Sequence, residues 1–109
     1  MIKQLTIDLP EEIGANLVKK GIEEPTPIQD IVIPRAIQGD SLMFRSQTGS
    51  GKTLAYVLPL LSAIAVKEQT IQGIIVAPSQ ELAVQIETVI KEVTTNTDIT
   101  SMAFIGGAN

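Results

Sequence analysis

The stretch QTGSGKT (47–53) decides how the rest of the chain is interpreted, because its glycines, lysine and hydroxyls have the spacing of a phosphate-binding loop. A polyphosphate needs converging backbone N–H groups, a positive charge near its outer phosphates and a hydroxyl that helps to hold Mg²⁺. Gly49 and Gly51 allow the backbone to curl closely around anionic oxygens. Lys52 would neutralise the β and γ phosphates, and Thr53 would hold the metal ion at a helix N-terminus. The stretch therefore predicts a site for a nucleoside triphosphate with Mg²⁺, in which Lys52 and Thr53 serve catalysis.

The residues on either side of this loop predict a strand that leads into it and a helix that leaves it. Residues 41–45 form a short, mostly apolar run that is typical of a buried strand. After Gly51, apolar residues recur every three or four positions. The strict loop pattern asks for glycine at position 46, where this chain has Ser46. An ordinary glycine-rich turn with an exposed lysine is therefore the alternative to a phosphate site.

Two further helices are predicted before the loop. Pro10-Glu11-Glu12 suits a first helical turn, and Gly21 follows two lysines as a C-terminal cap would, so residues 10–20 predict a helix. Thr26-Pro27 supplies the N-cap and first residue of a second helix. Its apolar residues are Ile28, Ile31 and Val32, and Gly39 closes the segment beyond Pro34.

The second half of the chain alternates in the same way. Residues 73–77 (GIIVA) predict a buried strand, and Ser79 caps a helix that a polar loop at 94–98 follows. Residues 99–105 predict a third strand. Strands that alternate with helices indicate the α/β fold class, with a parallel sheet and right-handed crossovers. The apolar stripe of the last helix is Leu82, Ile86, Val89, Ile90 and Val93.

The composition excludes several classes of chemistry and limits the kinds of partner. With 109 residues, 44% of them hydrophobic, the chain fits one compact domain. It has no cysteine or histidine, which excludes disulfides, Cys/His zinc sites and a histidine base. The net charge of −4 argues against a broad basic face for nucleic acid. The N-terminus lacks a signal pattern, and residues 54–66 are too short and too interrupted to span a bilayer, so we expect a soluble cytoplasmic protein without a membrane partner.

Four motifs in order resemble the DEAD-box RNA helicase family. They are GIEEPTPIQ (21–29), SQTGSGKT (46–53), PSQELAVQ (78–85) and the pair Gly106-Gly107. The resemblance covers essentially the whole chain and implies the first part of a RecA-like domain, with an incomplete parallel sheet and helices on both faces. Residues 1–39 would then form an adenine-recognition region, and residues 40–109 a β-α-β-α-β segment with the phosphate loop.

The resemblance assigns the nucleotide contacts. Gln29 stands where the family reads adenine, and its amide can pair with the exocyclic amine and a ring nitrogen while rejecting guanine. Thr26 would tie this motif to the loop. From the residues alone, Gln29 could equally be a solvent-facing helix residue and Thr26 a plain N-cap. The family's upstream aromatic ring has no counterpart here, which predicts weaker adenine binding. The loop contacts would be Ser46, Gln47, Thr48, Gly49, Ser50, Gly51, Lys52 and Thr53.

The resemblance also predicts contacts with the RNA backbone. Ser79 and Gln80 stand where the family usually has threonine and arginine, so a hydrogen-bonding group is kept and a charged contact is lost. Bare backbone at the glycine pair would let a sugar-phosphate chain come close. For Pro78 and Ser79, the alternative is the end of a strand followed by a helix cap. For the glycine pair, the alternative is a simple turn. The predicted RNA contacts are Pro78, Ser79, Gln80, Gly106 and Gly107.

The resemblance finally predicts what the intact protein does. It would be an ATP-dependent RNA helicase that unwinds short duplexes, with ATP and Mg²⁺ as cofactors. The Asp-Glu pair that the family uses for hydrolysis does not occur in the 109 residues, so we expect them to bind nucleotide without hydrolysing it. The remainder of the helicase chain is an expected partner, and an exposed strand edge predicts self-association. Another P-loop NTPase, such as a DNA helicase or an assembly ATPase, and a non-catalytic RNA- or protein-binding module are the alternatives.

Overall fold

The computed structural model describes residues 8–47 and 51–106 of the chain. This part contains α1 (Glu11–Lys19), α2 (Pro27–Ile37), α3 (Lys52–Ser62) and α4 (Gln80–Val93). All four helices lie where the sequence patterns predicted them. Helix α2 packs against α3, and α1 packs against α4.

Helix α1 ends in a glycine cap, as predicted. Gly21 has a φ of +79°, a conformation that costs other residues free energy. Its N–H donates to the carbonyl of Val18 at 2.9 Å, and the N–H of Ile22 donates to the carbonyl of Leu17 at 2.9 Å. This Schellman arrangement reverses the chain and directs residues 22–26 towards the start of α2.

Helix α2 continues through Pro34, and its predicted apolar residues are buried to different extents. Val32 and Ile33 lie in the interior, whereas Ile31 is 62% exposed. The packing of α2 on α3 buries the neighbouring face, so Ile31 stays exposed although it shares a helical spacing with Ile28.

The core is built from aliphatic side chains of all four helices. Helix α3 contributes most, and every apolar residue of its predicted stripe is buried. Leu9, Ile22, Tyr56, Ile75, Val89, Ile90 and Ile99 pack around this centre. The central cluster comprises Ile13, Leu17, Ile33, Leu54, Val57, Leu58, Leu61 and Val93.

The predicted sheet is not observed: between residues 8 and 47 and between 51 and 106, no residue is assigned to a strand. The segments 41–45, 73–77 and 99–105 were predicted as strands from their side-chain pattern. A strand also requires backbone pairing with a neighbour, which a side-chain pattern does not encode. The resemblance itself implies that the strand before the loop is not directly beside the next one, so residues 41–45 and 73–77 are not expected to pair with each other.

The exposure of these three segments nevertheless alternates. In residues 41–47 and 99–105, half-buried and exposed positions alternate one by one, as expected for extended chain with one side on the helices. Gly73 lies so close to α3 that an added Cβ would be 2.7 Å from Leu60 Cδ1. Large apolar side chains occupy the outward positions. These are Met43, Ile74, Val76, Met102 and Phe104.

None of the helices in the described part of the chain has the length and apolar character needed to cross a bilayer.

Candidate functional site

The start of α2 is organised by a reciprocal pair of hydrogen bonds. The backbone N–H of Thr26 donates to Gln29 Oε1 at 2.9 Å, and the N–H of Gln29 lies 3.5 Å from Thr26 Oγ1. This capping box occupies two backbone donors at the helix start. Thr26 is therefore an N-cap, and Gln29 has a fixed side-chain orientation before any ligand is considered.

The amide of Gln29 also reaches the phosphate loop. Its Nε2 donates to the backbone carbonyl of Gly51 at 3.1 Å. Gln29 is only 1% exposed, so the alternative of a solvent-facing residue is wrong. An amide offers two donor hydrogens and two acceptor lone pairs, and one of each is used here. One donor and one acceptor position of the amide are thus not used by these two hydrogen bonds.

Gly51 is the point at which the two motifs touch. It is the N-cap of α3 with a φ of +85°. A Cβ on this residue would lie 2.5 Å from Gln29 Nε2 and 2.7 Å from Thr26 Oγ1. Both the backbone conformation and the close approach therefore require glycine at this position.

A cavity of about 550 Å³ opens beside this contact. Its volume lies in the range of small-molecule sites. The sequence motifs identify two of its polar residues, Thr26 and Gln29, and the glycine of the loop. The walls that sequence reasoning missed come from the turn between α1 and α2 and from α3; the signal was present, since that turn belongs to the GIEEPTPIQ motif. The lining is Gly21, Ile22, Glu23, Glu24, Thr26, Gln29, Gly51 and Leu54.

The predicted catalytic pair lies at the start of α3. Lys52 is the first helical residue and is exposed, and Thr53 follows it half-buried. Lys52 forms no ion pair with any other described residue. Ser46 and Gln47 lead into the loop, and the predicted contacts Thr48, Gly49 and Ser50 lie outside the described residues. The cavity that the Gln29 amide lines therefore lies next to the N-terminus of α3, where Lys52 is the first residue.

The described residues contain no cluster of side chains that could bind a metal ion without a nucleotide. In the residues that the structure describes, no group of three acidic side chains could hold one. Thr53 is the only predicted metal contact that falls within this part, and a hydroxyl alone binds a divalent cation weakly.

The predicted RNA contacts form a second cluster. The hydroxyl oxygen of Ser79 accepts a hydrogen bond from the N–H of Leu82 at 3.2 Å and caps α4. Gln80 Nε2 donates to the carbonyl of Gly106 at 2.7 Å, across 26 positions of sequence. Pro78, Ser79, Gln80 and Gly106 are all exposed, and Gly107 lies outside the described residues. The structure thus brings the end of the third segment to the first turn of α4.

Two more side chains of α4, which the sequence did not reveal, hold the same segment. Lys91 Nζ donates to the carbonyl of Ser101 at 3.2 Å. Glu87 Oε2 accepts from the N–H of Ala103 at 2.8 Å. Nothing in their spacing identified them, because a charged residue on an exposed helix face predicts only solvation.

Comparison with known proteins identifies the class that this fold and site define. The family model for the DEAD/DEAH box helicase matches residues 26–109. The chain therefore belongs to the DEAD/DEAH box helicase family.

Relatives and solved structures agree with this membership. The chain is 35% identical to the ATP-dependent RNA helicase CshA of Listeria monocytogenes, over 100% of this chain and 21% of that protein. It is 40% identical to the ATP-dependent RNA helicase DBP10 of Candida albicans, over 91% of this chain and 11% of that protein. The chain thus spans about a fifth or less of these two relatives.

Two crystal structures share the fold. A DEAD box protein from Methanococcus jannaschii superposes with a TM-score of 0.82 at 31% identity, covering 94% of this chain and 28% of the other. The RNA helicase Prp28 from Chaetomium thermophilum bound to ADP has a TM-score of 0.78 at 36% identity, covering 93% and 26%. The described helices therefore correspond to part of a RecA-like helicase domain. None of these four proteins favours the alternatives of a DNA helicase, an assembly ATPase or a non-catalytic module.

Proposed function

We propose that these 109 residues are the ATP-binding portion of an ATP-dependent RNA helicase. The single observation that carries the proposal is the contact of Gln29 with Gly51, which joins an amide suited to adenine to a loop suited to phosphate. The activity for which CshA and DBP10 are named, and the ADP in the Prp28 structure, support the same activity and cofactor.

The charges around the cavity orient the nucleotide in this proposal. Glu23 and Glu24 line the cavity, and Lys52, the first residue of α3, directly follows Gly51, which also lines it. Phosphates are repelled by carboxylates and attracted by a lysine at a helix N-terminus. The base therefore lies against Gln29 and the acidic turn, and the phosphates lie along residues 46–53.

The residues present fit a nucleotide-bound Mg²⁺ better than an independently bound one. Mg²⁺ in phosphoryl-transfer sites is bound by one or two protein groups together with substrate phosphates and water. Here Thr53 would supply the protein hydroxyl, and bound Mg²⁺ would offset phosphate charge. Metal affinity should therefore depend on the nucleotide.

Binding and hydrolysis are separated in this proposal. Lys52 and Thr53 contact the phosphates, whereas activation of water requires a positioned carboxylate that no motif of these residues supplies. The complete activity, the unwinding of short RNA duplexes, belongs to the whole helicase chain, which is the first partner of this portion. The exposed cluster at Ser79, Gln80 and Gly106 would contact the RNA backbone.

The test is a titration of Mg²⁺-ADP and Mg²⁺-GDP into the chain. Wild type should prefer ADP. Gln29→Ala should abolish this preference, because it removes the amide that distinguishes the two bases. Lys52→Ala should weaken both nucleotides alike, because it removes a phosphate contact. Equal binding of ADP and GDP by wild type, or an unchanged preference in Gln29→Ala, would contradict the proposed adenine site.

The exposed apolar side chains also support self-association with a second copy of the chain. Ile74, Val76 and Phe104 are each at least three-quarters exposed, in segments that have a strand pattern and no strand partner in the described residues. Strand pairing between copies would bury them. Sedimentation velocity over a concentration series should show a rising average mass that Val76→Thr with Phe104→Ser reduces. A constant monomer mass would contradict this.

A further inference from the structure

The cavity of about 550 Å³ beside Gln29 has acidic residues in its wall and no basic ones. Glu23 and Glu24 are the only charged residues among the described residues that line it, and both are exposed. Neither carboxylate forms an ion pair or a side-chain hydrogen bond with another described residue. The negative charge of this wall is therefore not neutralised by its described neighbours.

These two carboxylates are not used to start α2. The capping box already occupies the backbone donors of Thr26 and Gln29, through the side chains of the same two residues. Glu23 and Glu24 precede the cap and make no bond of this kind. Simple solvation is one role for such exposed carboxylates. Their position in the wall of a cavity indicates a second role, an effect on what the cavity accepts.

The lining divides a nucleotide into two parts. The cavity meets the phosphate loop at Gly51, and Lys52 directly follows that residue. If the phosphates of the proposed nucleotide lie at the loop, its base and ribose face the remaining lining, which includes the turn at 21–24. The nucleoside part of the ligand is then exposed to the charge of Glu23 and Glu24, whereas the phosphates lie near a lysine.

A carboxylate beside a nucleoside selects by charge. It accepts hydrogen bonds from hydroxyl and amine groups and repels anions. Dinucleotide-binding folds show the rule: an acidic residue binds a free ribose hydroxyl, and an arginine accommodates a ribose phosphate. No described residue of the cavity lining is basic. A phosphate added to the ribose would therefore meet two like charges without a compensating cation.

We propose that Glu23 and Glu24 are specificity-determining residues that exclude adenosine ligands with a second phosphate group on the ribose. The inference rests on the proposed ATP-binding function and adds the class of nucleotide that the cavity rejects. The repulsion acts across an exposed wall and is screened by salt. The selectivity against the ribose phosphate therefore decreases as the ionic strength rises.

The test is a titration of ADP and of ADP 3′-phosphate into the 109-residue chain, with Mg²⁺ present throughout. At low salt, wild type should bind ADP roughly ten- to thirtyfold more tightly, and the ratio should shrink as salt is added. Glu23→Gln with Glu24→Gln should reduce the ratio to roughly threefold or less. The matched control is Glu11→Gln with Glu12→Gln, which removes the same charge from exposed residues of α1 outside the cavity lining and should keep the wild-type ratio.

The outcomes separate this inference from the function on which it rests. Equal affinity of wild type for the two ligands, or an unchanged ratio in Glu23→Gln with Glu24→Gln, would overturn the exclusion. An equal fall of the ratio in the control would assign the effect to net charge and would overturn it too. If wild type still prefers ADP over GDP in these cases, the adenine site stands. A chain that binds no ADP would overturn the proposed function and this inference together, and ADP binding by both double variants shows that they fold.

Discussion

The side-chain amide of Gln29 donates a hydrogen bond to the backbone carbonyl of Gly51 at 3.1 Å, which connects the first turn of α2 to the residue that starts α3. The two residues are 22 positions apart, and the capping box with Thr26 holds the amide in place. A ligand in the cavity beside them would contact both motifs at once. The carbonyl of Gly51, at the start of α3, is therefore bound by a side chain that lies outside the loop.

Gly51→Ala should damage both stability and nucleotide binding. The new methyl group would lie within 3.0 Å of Thr26 and Gln29, and φ would stay near +85° unless α3 starts differently. The left-handed backbone alone costs about 1–2 kcal/mol for alanine. We expect a larger loss in urea denaturation, because the buried side chains must also move, together with loss of ADP binding.

Gly39→Ala is the control for that measurement. Gly39 has a φ of +93° and nothing within 4 Å of its added Cβ. Gly39→Ala should therefore lose the unfolding free energy that a left-handed backbone costs alanine, without a steric clash of the new methyl group. Equal losses of unfolding free energy in the two variants would show that the contact with Gln29 adds nothing.

Gln29→Glu should make stability dependent on pH. A carboxylate keeps the acceptor for the N–H of Thr26 but cannot donate to the carbonyl of Gly51, and an unmet buried group costs about 1–3 kcal/mol. Burial raises the pKa of the introduced carboxyl, and its protonated form can donate again. The variant should therefore approach wild type at low pH and lose stability as the pH rises through that pKa. Parallel stability curves for the two proteins would contradict the donor role.

Asn16→Ala should weaken the attachment of α1 to α4. Asn16 is 6% exposed, and its Nδ2 donates to the carbonyls of Val93 at 2.9 Å and Thr95 at 2.8 Å. Removing the side chain leaves both carbonyls near the end of α4 without this donor, which should cost about 1–3 kcal/mol of unfolding free energy. Urea denaturation measures the loss.

The ion pair of Lys20 with Glu92 joins the same two helices and provides the comparison. Both side chains are partly exposed, so Glu92→Gln should cost no more than about 1 kcal/mol. If Glu92→Gln proved as harmful as Asn16→Ala, the contact of α1 with α4 would be electrostatic, contrary to our expectation.

Ser79→Ala should destabilise α4 by about 1 kcal/mol, because the N–H of Leu82 loses its acceptor. Ser79→Thr retains a hydroxyl at the cap and should stay close to wild type in thermal denaturation. A loss of equal size in both variants would mean that the cap hydrogen bond is not the stabilising feature.

The helices could be predicted because their signals are local. The apolar residues of α3 recur every three or four positions, and the cap at Ser79 involves the first turn of α4. Both signals depend on neighbours within one or two turns, and both are found as predicted. The exposure of Ile31 could not be predicted, because the face that α2 buries depends on α3, which the sequence of α2 does not contain. The strands were predicted from the same kind of pattern, but a sheet needs backbone partners, and none pairs in the described residues.

The site was predictable in its members more than in their contacts. The motifs named Thr26, Gln29 and Gly51, and the structure places them together; whether they bind nucleotide stays a prediction. Glu23 and Glu24 belong to the GIEEPTPIQ motif, but their place in the wall of the cavity was missed, because it depends on how α1, α2 and α3 pack together.

By itself, the amino-acid sequence determined the four helices, their caps, the phosphate-loop motif and the absence of cysteine and histidine chemistry, since each depends on residue type or on neighbours along the chain. Only the tertiary structure decided that Gln29 is buried against Gly51 and that Gln80 reaches Gly106. These contacts join residues separated by 22 and 26 positions, and their geometry follows from how the helices pack rather than from any local preference.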